Sequence, residues 1–139
     1  MQKARFRTVR CILRSGDRFL LVVHRRSRSP GLPRWGLPGG HIERREAFEE
    51  TARRELRQEL GIVLGPLHEI GDYRYRGALH KVLGADFSSR VVEFRRAELV
   101  KIGWHTQAEV AELARAGQLH AGYEHTAIAD FLARVRVTV

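Results

Sequence analysis

Cysteine, lysine and long apolar runs are what this chain has least of: one cysteine, Cys11, and three lysines in 139 residues. A lone cysteine excludes an internal disulfide and any zinc site built on paired cysteines, and its place in an apolar run assigns it to core packing. No apolar stretch approaches the ~18 residues of a membrane span, and the start, MQKARFRTVRCIL, lacks the apolar centre of a secretion signal. A cytoplasmic location and no membrane partner are the expectation. Internal repeats and low-complexity tracts are missing too, so solenoid and fibrous architectures are excluded. Residues 1–139 suit one domain, large enough to bury about two-thirds of its unfolded surface.

Lysine is scarce but positive charge is not. Twenty-two arginines give the chain a net charge of +9. That balance leaves three readings open: a nucleic-acid surface, attraction of small polyanions, or an arginine-rich coding bias. The basic residues are not gathered into one tract with interleaved aromatics, which weighs against dedicated nucleic-acid binding. Acid, by contrast, is concentrated. Six of the twelve glutamates (Glu43, Glu46, Glu49, Glu50, Glu55 and Glu59) fall within residues 39–62, GGHIERREAFEETARRELRQELGI.

A Pro-Gly-Gly turn leads into a predicted helix over 47–60, closed by Gly61 where a left-handed cap residue is favoured. Taking Phe48 as zero on a helical wheel, Ala52, Leu56 and Leu60 fall near 40°, 80° and 120°, an apolar stripe suited to lie on a sheet. Glu55 and Glu59 fall about 20° either side of Phe48, one turn apart at the margin of that stripe. Like charges so placed weaken a helix by about 0.2–0.5 kcal/mol, so a cation should offset them. Two hard oxygen ligands beside a glycine turn suit Mg²⁺ or Mn²⁺.

At this point the residues resemble a family. The Nudix hydrolases carry the box G-x5-E-x7-R-E-U-x-E-E-x-G-U, with U a bulky aliphatic. This chain matches it at Gly40, Glu46, Arg54, Glu55, Leu56, Glu59, Gly61 and Ile62. One position departs, Gln58 standing where the family has the first of two adjacent glutamates. The resemblance implies that the Gly39 carbonyl, Glu55 and Glu59 ligate the metal, with Gln58 lending a carbonyl oxygen but no charge. It also implies that Arg54 and Glu46 form a supporting ion pair, that Gly40 and Gly61 shape the turn and cap, and that a later glutamate joins the site as base or ligand. Glu98, six residues before Trp104, is the best match for that last role, with Glu93 behind it.

Elsewhere, residues 6–13 and 18–23 read as a hairpin around Ser15-Gly16-Asp17, its second strand FLLVV covered on both faces. Arg25 and Arg26 begin a basic loop and are candidates for phosphate contacts. Residues 67–75, 79–87 and 91–94 read as a three-stranded meander. Tyr73 and Tyr75 alternate onto one face of it, where they are candidates for stacking on a base. Residues 98–104 read as a loop leading to a short strand, Thr106 to Glu109 as a capping box opening a helix that ends at Gly117, and residues around 128–135 as a last amphipathic helix. His41, His120 and His125 form no metal or triad spacing and read as structural or solvated.

This order gives an α+β domain with a mixed sheet between helices, in agreement with the α/β/α sandwich that the Nudix resemblance implies. The implied activity is divalent-metal-dependent hydrolysis of a phosphoanhydride in a nucleoside diphosphate derivative, most simply a MutT-like nucleoside di- or triphosphate hydrolase releasing a monophosphate. Neither the proline nor the tyrosine that marks other subclasses stands about sixteen residues past the box, near Ala78. The alternatives are removal of pyrophosphate from RNA 5′ ends, and a catalytically weak nucleotide-binding regulatory module kept in view by Gln58. Oligomeric state leaves no trace in the sequence.

Overall fold

A computed structural model describes residues 5–25, 34–88 and 93–137. Five strands form a sheet in the order β4-β5-β1-β2-β6, and a short sixth, β3, pairs with β1. The strands are β1 (Phe6–Ser15), β2 (Arg18–His24), β3 (Gly39–His41), β4 (His68–Tyr75), β5 (Ala78–Asp86) and β6 (Leu99–Thr106), and the helices α1 (Phe48–Leu60), α2 (Gln107–Arg115) and α3 (Glu124–Val137). The sheet is mixed because β1 and β5 run parallel while every other pair is antiparallel.

Alternation along the central strands makes two cores. Cys11 and Leu13 of β1 and Leu20 and Val22 of β2 face Leu56 and Leu60 of α1. Ile12, Phe19 and Leu21 point the other way, onto Val110 of α2 and Ala127, Ile128 and Phe131 of α3. The run FLLVV is buried on both faces for this reason, as its continuous hydrophobicity requires. Cys11 lies wholly inside, where burial pushes its thiol up to about 12. Among the described residues no helix is long and apolar enough to cross a membrane.

The helix over the acidic stretch forms where its periodicity puts it. Ala52, Leu56 and Leu60 are buried, each leucine stabilising by about 1.5–3 kcal/mol. Ala47 at its start offers no side-chain acceptor, and the Glu50 carboxylate instead reaches back to the Ala47 N–H at 2.8 Å. Gly61 ends the helix at φ 66°, its N–H donating to the Arg57 carbonyl. The capping box at Thr106 and Glu109 is present with both of its hydrogen bonds, and Gly117 stands beyond α2 at φ 67°.

Two expectations are corrected. No strand forms at Glu93 and Phe94, and Val91 lies outside the described residues. The cause is topological: β5 already has β4 on one edge and β1 on the other, so a third meander strand has no edge to join. Segment 93–98 crosses the end of α1 instead, the Arg95 N–H donating to the Glu59 carbonyl at 2.8 Å. Residues 99–106 are no short strand but an eight-residue one, because they pair with the whole length of β2.

Candidate active site

The site begins where β1 and β2 part. These strands pair only at their hairpin end, Arg14 with Phe19 and Ser15 with Arg18. Residues 35–41 fill the widening gap. Gly36 exchanges both backbone hydrogen bonds with Val22 at 2.8 Å, the Cys11 N–H donates to the Pro38 carbonyl at 2.8 Å, and β3 lies against Thr8, Val9 and Arg10. Both glycines of this turn are dictated by space. At Gly39 φ is 140° and a Cβ would stand 2.1 Å from the Val9 carbonyl oxygen. A Cβ at Gly40 would stand 2.4 Å from the carboxyl carbon of Glu55. The helix carboxylate therefore rests directly on glycine backbone.

Arg54 fixes that carboxylate in place. Its Nε and Nη2 grip Glu46 as a fork at 2.7 and 2.9 Å, Nη1 donates to Glu55 Oε1 at 2.9 Å, and Nη2 also reaches the His41 carbonyl at 2.9 Å. Glu46 accepts further from the Glu43 N–H and the Thr51 hydroxyl. The Arg54 guanidinium, foremost among these donors, holds the Glu46 carboxyl down at about 2. One arginine thus ties the loop, the turn and the acidic face of α1 together.

Glu55 and Glu59 differ in their surroundings. Burial and then the charge of Glu59 push the Glu55 carboxyl upward, against the pull of Arg54; Glu98 adds to the rise. Glu59 is only 2% exposed. Its Oε1 accepts from the Gly39 N–H at 3.2 Å and its Oε2 lies 3.1 Å from His24 Nε2. Arg10 stands behind His24 and donates to the Gly39 carbonyl at 3.0 Å.

A cavity of about 420 Å³ collects these groups: Gly39, Gly40, Arg54, Glu55, Gln58, Glu59 and Glu98 line it with Arg10, His24, His41, Glu43 and His120. Gln58 and Glu98 therefore join the box residues as the sequence suggests, while Gly61 serves one turn further on as the helix cap. Glu93 does not line it. The donor set of carboxylates, an amide oxygen and a peptide carbonyl is hard and suits Mg²⁺ or Mn²⁺. Among the described residues no three of His, Cys, Asp and Glu stand together as a ready-made cluster. Arg54, His24 and the Gly39 N–H hold the carboxylates in this arrangement.

Three candidates lie elsewhere. Arg25 turns its guanidinium onto the Arg96 carbonyl at 2.9 and 2.6 Å and does not line the cavity; Arg26 is outside the described residues. Tyr73 donates to Asp130 at 2.5 Å and stacks on Tyr123 with 5.0 Å between ring centroids, so α3 claims it. Tyr75 packs against His80 and against His120, one ring behind the cavity wall. Both tyrosines do share a face, as alternation requires, but that face is the one α3 covers.

Five lining residues, Arg10, His24, His41, Glu43 and His120, have no site role in the sequence pattern. Arg10 and His24 are polar positions within or ending otherwise buried strands, and that break in pattern is the only signal they offer. His120 reads as structural from spacing alone. Burial, then the nearby Arg10, brings its imidazole down to about 4, and His80 behaves alike.

Comparison with known proteins agrees with this geometry. The sequence model of the NUDIX domain matches residues 4–125. Phosphatase NudJ of Escherichia coli (strain K12) is 38% identical over 63 residues, a match that takes in 45% of this chain and 39% of NudJ. The chain thus matches well under half the length of that relative. The NUDIX domain of Shewanella oneidensis NrtR, solved in complex with ADP ribose, superposes with a TM-score of 0.74 at 23% identity over 96% of this chain and 90% of that one. A NUDIX hydrolase from Nitrosomonas europaea gives a TM-score of 0.70 at 21% identity over 94% and 90%. These two likenesses speak for the fold. With one family model running through nearly the whole chain, and with Gly40, Arg54, Glu55 and Glu59 of the box lining one cavity, this protein belongs to the Nudix hydrolase family.

Proposed function

We propose that the protein hydrolyses a phosphoanhydride bond in a nucleoside diphosphate derivative, most simply a nucleoside di- or triphosphate, and releases a nucleoside monophosphate. The observation that carries this reading is the meeting of Glu55, Glu59, Glu98, Gln58 and the Gly39 carbonyl in one cavity whose other walls carry arginine and histidine. Gly39, Glu55, Glu59 and Gln58 would hold a divalent cation. When bound, Mg²⁺ or Mn²⁺ supplies neutralisation of the phosphate charge that otherwise repels attacking water.

The protein's own groups account for the rest. Arg54 positions Glu55 for that cation through the bond from its Nη1 to Glu55 Oε1. Glu98, which lines the same cavity, is the carboxylate we assign to take the proton from water. Among the described residues the lining holds no serine, threonine or cysteine, and attack by water on phosphorus is the step that lining supports. Likeness to a phosphatase and to a domain solved with ADP ribose supports a phosphate-bearing, nucleotide-like substrate.

A second reading, a nucleotide-binding module of weak activity, draws on Gln58 and on carboxylates already engaged by internal donors. Turnover of a nucleotide panel with and without Mg²⁺ or Mn²⁺, run in heavy-oxygen water, decides between them. Metal-dependent release with label in a phosphate product supports hydrolysis. Tight nucleotide binding without turnover supports the module, and label in the sugar or base rejects attack at phosphorus.

A further inference from the structure

The cavity contains a cation of its own. Arg10 leaves β1 at the point where β1 and β2 part, and its Nη1 donates to the Gly39 carbonyl at 3.0 Å, with the Leu37 carbonyl at 3.4 Å. The same Nη1 lies 3.2 Å from His24 Nε2, which lies 3.1 Å from Glu59 Oε2. Glu59 Oε1 in turn accepts from the Gly39 N–H at 3.2 Å. These contacts close a ring that runs from the Gly39 carbonyl through Arg10, His24 and Glu59 back to the Gly39 amide. The Gly39 carbonyl oxygen and both Glu59 oxygens, assigned above to a metal ion, thereby already have partners within the protein.

The ring is over-subscribed at one atom. An imidazole nitrogen carries either a proton or a lone pair, so His24 Nε2 cannot both accept from Arg10 and donate to Glu59. Whichever partner it serves, the other faces the wrong end of the group. Removing either Arg10 or the Glu59 oxygen from the ring relieves that conflict.

We propose that Arg10 is the metal-free protein's stand-in for the divalent cation: its guanidinium holds the Gly39 carbonyl beside the nearly buried Glu59, and it withdraws from the carbonyl when a metal ion binds. This rests on the reading that Gly39, Glu55 and Glu59 hold the metal. Arg10 is a positioning residue in this scheme. It keeps the Gly39 carbonyl in place while competing with the ion that carbonyl awaits, so its loss should weaken the metal-free fold and strengthen metal binding.

The test is Mn²⁺ binding to the full chain without nucleotide, read from the paramagnetic resonance of the free ion, with thermal unfolding of the metal-free proteins alongside. Arg10→Met should melt below the parent yet bind Mn²⁺ about tenfold more tightly, the ratio implied by sparing one charge-assisted hydrogen bond that the ion must otherwise break. Arg10→Gln, which retains one amide donor, should fall between. A residue that only shapes the site would, on removal, weaken binding instead. Equal or weaker binding by the variants, with the parent binding normally, overturns the proposal and leaves the metal reading standing. Failure of every protein to bind overturns both. Should the variants not fold, the parent alone decides: the Arg10 side-chain NMR resonance must shift on saturation with Mg²⁺, and an unmoved resonance overturns the displacement.

Discussion

Gly40→Ala separates the site from the fold more cleanly than removal of a carboxylate does. Gly40 has no positive φ, so alanine imposes no backbone strain there. Its methyl group would nevertheless stand 2.4 Å from the Glu55 carboxyl carbon and 2.6 Å from both carboxylate oxygens, whereas ordinary contact begins at 3.4 Å. The carboxylate must retreat by about 1.0 Å, stretching the 2.9 Å bond from Arg54 that holds it. A displacement of about 1 Å in a reacting group costs on the order of 10²-fold in rate, while one weakened hydrogen bond costs about 1 kcal/mol of stability. The expected result is a kcat lowered by about two orders of magnitude with a melting temperature lowered by only a few degrees. Steady-state kinetics on the best nucleotide, paired with calorimetric melting, measures both. Parental turnover in a folded Gly40→Ala protein would refute the assignment of Glu55, since its carboxylate cannot remain where it is. Gly39→Ala is the contrast: with a Cβ 2.1 Å from the Val9 carbonyl, it should damage folding itself.

Glu55→Gln and Glu59→Gln should each lower kcat by about 10² or more while the proteins stay folded, and near-parental rates in both would place the chemistry elsewhere. Gln58→Glu adds a carboxylate to the cavity wall and should lower the Mg²⁺ concentration needed for half-maximal activity; an unchanged requirement would show that this side chain does not address the metal. Glu46 predicts a pH effect on stability. Its folded pKa is depressed from 4.5 to about 2, so its contribution is fully present above pH 4.5 and is lost as pH falls through that window. Melting temperatures followed from neutral pH to pH 2 should fall more steeply for the parent than for Glu46→Gln, and parallel curves would deny the Arg54 pair a role in the fold.

Much of this was legible in the sequence because it is local. The stripe Ala52, Leu56 and Leu60, the Gly61 cap, the Thr106 capping box and the hairpin of β1 and β2 each depend on residues a few positions apart. The pairing of Arg54 with Glu46 was legible only through the family box. What escaped depends on which distant segment becomes a neighbour. Residues 91–94 have the composition of a strand, but Glu93 and Phe94 form none, since β1 had taken the edge of β5 that a third meander strand requires. Alternation put Tyr73 and Tyr75 on one face correctly, yet period two cannot say that α3 will cover it. Arg10 and His24 meet Gly39 and Glu59 only because β1 and β2 part, and nothing in either strand's pattern announces that separation.

That parting also ties the site to two strands at once. Gly36 is stitched to β2, and Pro38 and β3 are stitched to β1, before the glycine turn reaches α1. The Gly39 carbonyl is thus set by backbone bonds on both flanks, so a substitution on α1 that moves Glu55 or Glu59 should leave that carbonyl in register with the sheet.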